Sequence, residues 1–152
     1  MAVDIREIAN CPCLALRRTT RHVTRIYDRL LEPLGLTVNQ FGLLGYLYGA
    51  SLSGRGSLSI GALAERVGID PTTLNRSLKR LQALKLAAAA TDPRDRRVRA
   101  VVITGKGRAK LERAVTPWRE ARALVEGAIG AETTAALKGL LDLSSAKLVK
   151  SR

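Results

Sequence analysis

The chain has 152 residues, of which 46% are hydrophobic and only 3% aromatic, so its core must consist of Leu, Ala, Val and Ile, a composition that favours helices. Its net charge of +13 indicates a polyanionic partner, either nucleic acid or an anionic membrane surface. No stretch approaches the ~20 apolar residues of a membrane span, and the start lacks the pattern of a signal peptide, so we expect a cytoplasmic protein without a membrane partner.

Two helices are predicted in the first third of the chain. The first begins after Pro12 and carries apolar residues at helical spacing as far as Leu31, with arginines on much of the remaining surface. A proline and a glycine are expected to end it. Thr37 and Gln40 form a capping box that would open the second helix. The serine- and glycine-rich segment 51–57 is then expected to be a loop.

Two shorter helices follow, and the second carries a polar and basic surface. Ser59 would cap a helix over 60–67 that stops at Gly68. Asp70, with a proline directly after it, would cap the next helix, which runs to about Leu84. Leucines form one apolar stripe along this helix. The residues on its other faces, which we predict to bind DNA, are Thr72, Thr73, Asn75, Arg76, Lys79 and Arg80.

A basic β-hairpin is predicted directly after these helices. Its strands, over 86–90 and 98–103, would be joined by an arginine-rich tip with a turn marked by Asp92. Residues 66–110 contain twelve Lys and Arg against three Asp, a net +9. Most of the excess positive charge therefore lies in less than a third of the chain, as expected for a binding surface.

Two long helices complete the chain. Thr104 would cap one over 106–127, which is expected to be interrupted by a kink at Pro117. Gly130 separates it from a last helix over 131–149. The leucines expected on the buried side of this last helix are Leu137, Leu140, Leu141 and Leu148.

The central part of this pattern predicts a winged helix-turn-helix, because two short helices joined by a glycine-containing turn precede a basic hairpin. In that arrangement the second helix enters the major groove of DNA. The hairpin would carry its arginines to the neighbouring minor groove or to its phosphates.

The order of these motifs resembles the MarR family of bacterial transcription regulators over nearly the whole chain. The likeness is carried by LSIGALAERVGIDPTTLNRSLKRLQALKL, by DPRDRR and by VVITGKG. It implies a single domain over 1–152, with dimerisation helices over 11–34 and 106–149 and a DNA-binding region over 37–104. The fold class is then mainly α: a winged helix-turn-helix with N- and C-terminal dimerisation helices and a small β-hairpin wing.

The resemblance also implies roles for residues of the wing. Asp95 would orient Arg97, which would enter the minor groove. Arg94, Arg96 and Arg99 are either specific contacts or part of a solvated loop that attracts phosphates. Where the family more often has Gly-Leu-Ile and a basic residue, this chain has a leucine and four alanines, so we expect the first strand to be short or loosely formed.

The resulting prediction is a homodimeric, sequence-specific regulator, in families like this most often a repressor, bound to a pseudo-palindromic operator. The resemblance implies a small aromatic or phenolic ligand as its signal. We see no phosphate loop, metal-ligand spacing or catalytic triad, and so expect no enzyme activity, metal or cofactor. One alternative is a nonspecific architectural DNA-binding protein that relies on charge, and another is a thiol redox enzyme.

Two cysteines lie at the start of the first predicted helix. Cys11 and Cys13 belong to a chain with no sign of export, so we expect free thiols. Aligned without gaps, the chain is similar to the peroxide-sensing branch of the family, whose reactive cysteine falls on Cys13 and one of whose cysteine-contacting tyrosines falls on Tyr27. The other two tyrosine positions hold Arg17 and Val38. Thiol oxidation is thus an alternative signal to a ligand, and inert packing cysteines are the other alternative.

Overall fold

A computed structural model of the protein describes residues 4–92, 95 and 97–150, which form helices and one small sheet. The helices are α1 (Ile5–Ala9), α2 (Pro12–Leu31), a 3-10 turn (Glu32–Leu34), α3 (Val38–Leu52), α4 (Ile60–Val67), α5 (Pro71–Ala83), α6 (Gly105–Ile129) and α7 (Ala131–Lys150). The strands are β1 (Leu58–Ser59), β2 (Ala87–Thr91) and β3 (Arg99–Ile103). This mainly helical architecture confirms the predicted fold class. Within the ranges that the structure describes, no helix is long and apolar enough to cross a membrane.

The chain divides into two compact units. The central unit comprises residues 31–116, and the terminal unit combines the chain up to residue 30 with the chain from residue 117 onwards. The central unit therefore contains α3, α4, α5 and the whole sheet. The terminal unit contains most of α2, the second half of α6, and α7.

Helix starts in the central unit are fixed by the side chains predicted to cap them. Thr37 and Gln40 each accept the other's backbone N–H, which completes the capping box of α3. Ser59 caps α4, and the hydroxyl of Thr104 accepts a backbone N–H in the first turn of α6 at 2.9 Å. Capping requires only residues that are close in sequence, so these boundaries were predictable.

The sheet has the strand order β1-β3-β2 and is antiparallel throughout. β2 pairs with β3 along its full length, from Ala87 opposite Ile103 to Thr91 opposite Arg99. The expectation of a short or loosely formed first strand is therefore wrong. A ladder of backbone hydrogen bonds does not require large side chains, and the buried Val101 of β3 supplies apolar packing at its centre.

The core of the central unit is built almost entirely from leucines, as the composition predicts. Eight large apolar side chains are less than 2% exposed, and each contributes roughly 1.5–3 kcal/mol by its burial. They are Leu31, Leu44, Leu47, Leu63, Leu74, Leu81, Leu86 and Val101. Three of them belong to α4 and α5, so the helix-turn-helix is held on its inner side by this core.

Two expectations about the long helices are corrected by the structure. α6 continues through Pro117 to Ile129, so the predicted break in the helix is wrong. A proline removes one N–H, and the remaining backbone hydrogen bonds keep the helix continuous. The kink expected at Pro117 stays a prediction. The leucines of α7 are not buried within the chain, since Leu140 is 63% and Leu148 is 68% exposed. The sequence pattern identified an apolar surface that this chain alone leaves uncovered.

Candidate nucleic-acid interface

α4 and α5 are joined by a tight turn that sets the start of α5. Gly68 takes the left-handed conformation with φ 72°, and the N–H groups of Gly68 and Ile69 both donate to the carbonyl oxygen of Ala64. Asp70 Oδ1 then accepts the N–H of Thr73 at 2.9 Å. Hydrogen bonds from the side chain and backbone of Thr73 hold the pKa of the Asp70 carboxyl below its ordinary value. The carboxylate is therefore the charged form that caps α5 at neutral pH.

The two sides of α5 differ as the sequence predicts. Leu74, Leu78 and Leu81 are buried against the central core. The outer side, which we call the recognition face, consists of Thr72, Thr73, Asn75, Arg76, Lys79 and Arg80. All six are exposed except the half-buried Asn75. The structure thus places every predicted helix contact on the accessible side of one 13-residue helix.

The hairpin of β2 and β3 follows α5, and two of the described residues between its strands are bonded to Asp95. Asp95 Oδ1 accepts the backbone N–H of Arg97 at 2.9 Å, and the Asp95 carbonyl accepts the N–H of Val98 at 3.0 Å. Both Asp95 and Arg97 are exposed. In this structure the Asp95 carboxylate contacts the backbone N–H of Arg97. The predicted contacts Arg94 and Arg96 lie outside the described residues.

α6 is attached to the segment that follows α5 by short contacts at its first turn. Lys106 Nζ and Thr104 Oγ1 donate to carbonyl oxygens of that segment at 3.0 and 2.8 Å. Gly107 lies so close that an added Cβ would collide with the carbonyl oxygen of Leu86. Residues 84–86 and 104–107, which we call the α5–α6 joint, therefore have little freedom to move apart or together.

A cleft of about 210 Å³ lies between α5 and the hairpin. Its polar and small lining residues include Asn75, Lys79, Gln82, Ala89, Ala90 and Arg99. Arg99 was predicted from the sequence only as one of the wing arginines, either a specific contact or part of a loop that attracts phosphates. Gln82 was not predicted, because its place beside the hairpin depends on tertiary structure and no local pattern marks it.

A wider groove of about 550 Å³ follows the outer side of α3. Its lining residues include three glycines of α3 together with Tyr46, Arg55 and Arg66. The hydroxyl of Tyr46 donates to the carbonyl oxygen of Arg66 at 3.4 Å, which links α3 to α4. The sequence analysis singled out none of these residues, because the spacing of the glycines resembles a helix surface of no particular function.

The predicted redox residues are separated along one helix. Cys11 is half-buried and Cys13 is exposed, and both are free thiols. Cys13 and Tyr27 are 14 residues apart on α2, or about 21 Å along a helix axis, so they do not contact each other within one chain. Burial raises the pKa of the Tyr27 hydroxyl, Arg122 lowers it and Glu126 raises it. A contact between Cys13 and Tyr27 would require two protomers.

The described residues include no group of three or more His, Cys, Asp or Glu placed to hold a metal ion. What they offer is a helix-turn-helix with a polar and cationic second helix beside a β-hairpin. These features define a winged helix-turn-helix, a fold class that binds double-stranded DNA.

Comparisons with known proteins agree with that class. The sequence model of the MarR family matches residues 34–98, whereas no curated protein matches the chain. The structure is similar to the M. tuberculosis transcriptional regulator MosR in complex with DNA, with a TM-score of 0.73, 32% identity, and coverage of 90% of this chain and 98% of that one. The chain belongs to the MarR family of transcriptional regulators, whose members are typically homodimers and repressors.

Two further solved structures are similar over most of their length. BpsR of Bordetella bronchiseptica, whose DNA binding is regulated by 6-hydroxynicotinic acid, is 27% identical with a TM-score of 0.72, and the match covers 95% of this chain and 98% of that one. A mutant MarR from E. coli complexed with operator DNA is 21% identical with a TM-score of 0.79, covering 93% and 99%. At that identity the second likeness concerns the fold alone.

Proposed function

We propose that the protein is a homodimeric repressor that works in the cytoplasm and binds a pseudo-palindromic operator. Each protomer would place α5 in a major groove, with the two helices about one turn of DNA apart. The observation that carries this proposal is the recognition face, which is accessible along the whole of α5 and adjoins a hairpin. The family and its solved relatives are transcription regulators, which favours this function over catalysis.

Within the recognition face we assign two kinds of contact. The N-terminal half of a recognition helix meets base edges, whereas later residues lie beside the sugar-phosphate backbone. We therefore assign base reading to Thr72, Thr73, Asn75 and Arg76. Lys79 and Arg80, further along α5, would contact phosphates.

The wing would supply a second set of contacts. Arg97 is exposed at the hairpin tip, and its backbone is held by Asp95. We propose that Arg97 enters the minor groove, where the negative potential is greatest at narrow A·T-rich sequences. Arg94 and Arg96, which precede it in the sequence, would add phosphate contacts.

Dimerisation would use residues 11–34 and 106–149, and DNA binding would use residues 37–104. Support comes from the apolar side chains that one chain leaves exposed, such as Leu140 and Leu148 on α7. Contiguous exposed apolar surface of this kind is typical of an interface between protein chains.

The proposed signal is a small aromatic ligand, and thiol oxidation is the second candidate. The DNA binding of BpsR is regulated by 6-hydroxynicotinic acid, which is such a ligand. The thiol candidate is favoured by Cys13, which is free and exposed. Titration of the DNA complex with an organic hydroperoxide tests it. If hydroperoxide releases the DNA from the wild type and from Cys11→Ser but not from Cys13→Ser, oxidation of Cys13 is supported as the signal. If neither substitution changes the release of DNA, the small aromatic ligand is left as the candidate signal.

The proposed function is tested by selecting bound fragments from genomic DNA and footprinting them. A regulator would bind the selected site at least ~10³-fold more tightly than random duplex at the same salt concentration. Arg76→Ala would then change the preferred sequence, whereas Lys79→Gln would weaken all sequences alike. Equal affinity for selected and random DNA would instead indicate the architectural alternative.

A further inference from the structure

We propose that the cleft between α5 and the hairpin binds one phosphodiester group of the DNA backbone, with Arg99 and Lys79 as its cationic ligands. This inference rests on the proposed function and adds a site to it. It assigns a role to Arg99 and to the alanines of β2, and it makes the cleft the point at which the DNA strand crosses the protein.

The course of the DNA strand follows from the grooves that α5 and the wing would occupy. A major groove and the adjacent minor groove are separated by one sugar-phosphate strand. If α5 lies in the first and the hairpin tip in the second, that strand must pass between the helix and the hairpin. The cleft is the gap between these two elements, since its lining residues come mainly from α5, β2 and β3.

The chemistry of the cleft suits an anion. Lys79 and Arg99 are both exposed, and none of the described residues that line the cleft is acidic. The ion pairs found among the described residues, Arg122 with Glu126 and Lys138 with Asp142, involve neither of them. Two uncompensated cations on facing walls therefore favour a phosphate between them.

A neutral donor completes the cleft. Gln82 lies on the same helix as Lys79, one turn after it, and is half-buried. Its amide NH₂ group can donate to a phosphate oxygen. Its position at the wall would fix where along the strand the phosphate binds, which a flexible cation alone does not do. Asn75, which also lines the cleft, keeps its assignment to base reading.

The space for a phosphodiester comes from the alanines of β2. The cleft has a volume of about 210 Å³, many times the roughly 10–15 Å³ that one buried water requires. Ala89 and Ala90 line it, and larger side chains there would fill part of that volume. The alanine run that the sequence analysis took as a weakness of the strand thus keeps the cleft open.

The first experiment measures DNA affinity against salt concentration for Arg99→Gln. We expect affinity to fall roughly tenfold on selected and random duplexes alike, and the salt slope to fall by about 0.9 per protomer. Arg6→Gln, which removes an equal charge from an exposed position on α1, outside the ranges assigned to dimerisation and DNA binding, is the matched control and should leave the slope unchanged. An unchanged slope in Arg99→Gln would overturn the proposal. Because random duplex suffices, this outcome is distinct from a failure to find an operator.

The second experiment locates the phosphate by replacing single backbone phosphates with neutral methylphosphonates. One position per half-site should weaken binding of the wild-type protein and have a clearly smaller effect on Arg99→Gln, in which only Lys79 still binds the phosphate. Additive losses at every position would overturn the assignment. A free phosphate ion is the other source of the same chemistry. It would be indicated if inorganic phosphate at constant ionic strength competed with DNA for the wild type but not for Arg99→Gln, and if no single methylphosphonate position weakened binding. That combination of results would also overturn the assignment of the cleft to a DNA phosphate.

The third experiment fills the cleft without changing any charge. Ala89→Val should weaken binding to all duplexes, while Ala88→Val, which adds the same volume to a neighbouring residue outside the cleft lining, should not. Valine favours strands, and circular dichroism with thermal unfolding verifies that both variants fold. Equal affinity of the two folded variants would contradict a phosphate bound in this space.

Discussion

Asp95 is one of three aspartates in the strongly basic segment 66–110, and its carboxylate accepts the N–H of Arg97 at 2.9 Å. If charge alone determined affinity, Asp95→Ala would tighten DNA binding. We expect the opposite, because the variant frees the backbone that carries Arg97.

Arg97→Ala should weaken the free energy of DNA binding by roughly 1–3 kcal/mol, with most of the loss on duplexes with A·T-rich flanks. Fluorescence anisotropy of labelled duplexes measures both, with Asp95→Asn as a control that keeps an acceptor; tighter binding by Asp95→Ala would refute the backbone role.

Asp70 gives the DNA-binding unit a defined dependence on pH. Hydrogen bonds from Thr73 lower the pKa of the Asp70 carboxyl in the folded state, so its stabilisation is present above the unfolded-state value of about 3.9 and is lost as pH falls through the folded-state value. Asp70→Asn keeps a cap without a titratable group. We expect wild type to be more stable than Asp70→Asn at pH 6 and to lose this advantage towards pH 3, as followed by thermal unfolding.

Single residues that act within their own helix turn were predictable from the sequence. The capping side chains and the exposed residues of α5 needed only local spacing, and the structure places them as expected. Arg99 and Gln82 were not predictable as neighbours, because the hairpin brings them together through pairing between strands. Residue roles in DNA binding remain predictions that the binding measurements above will test.

At the scale of elements, the α5–α6 joint sets how the recognition helix is held. Gly107→Ala would push a methyl group into the carbonyl oxygen of Leu86. Such overpacking typically costs 1–3 kcal/mol, so we expect the free energy of unfolding in urea to fall by about that amount. Gly105→Ala, two residues earlier on α6 with no atom within 4 Å of the added Cβ, should change it little. Equal stability of the two variants would mean that the joint relaxes without cost.

Helices and strands were predicted well where a capping residue or a strong hydrophobic period marks them. They were predicted poorly where pairing with a strand distant in sequence determines whether they form. The bounds of α4 and α5 follow from their capping residues and the glycine turn. By contrast β1, two residues long, exists only because β3 pairs with it, and α1 is too short to give a period. The regular pairing of β2 was also underestimated, since its alanines carry little strand preference of their own.

At the scale of the whole molecule, dimerisation is the property on which operator binding depends. Leu140→Glu combined with Leu148→Glu would place charges on the exposed apolar surface of α7. If this surface forms the dimer, the variant should sediment as a monomer and bind a two-half-site duplex roughly 10²-fold more weakly, because the half-sites are no longer bound together. Ser144→Glu, an exposed polar position on the same helix, is the control. A dimer in both variants would place the interface elsewhere.

The net charge of the whole chain predicted a polyanionic partner, either nucleic acid or a membrane surface, and the helix-turn-helix pattern was needed to favour DNA. The apolar surface of α7 shows where such reasoning stops. Periodicity identifies which residues of a helix form an apolar side, but it does not say whether the same chain or a second chain covers that side. Leu140 and Leu148 were therefore assigned to a buried side that this chain does not bury.

The tryptophan carried by the continuous helix α6 determines the intrinsic fluorescence of the protein. The only tryptophan of the protein, Trp118, follows Pro117 in this helix, at the point along the chain where the terminal unit resumes. With three tyrosines and one phenylalanine besides, indole emission from this one half-buried position dominates the intrinsic fluorescence. Any effector that alters the surroundings of α6 there will shift or quench this emission, so the protein carries its own reporter for ligand screening without an attached dye.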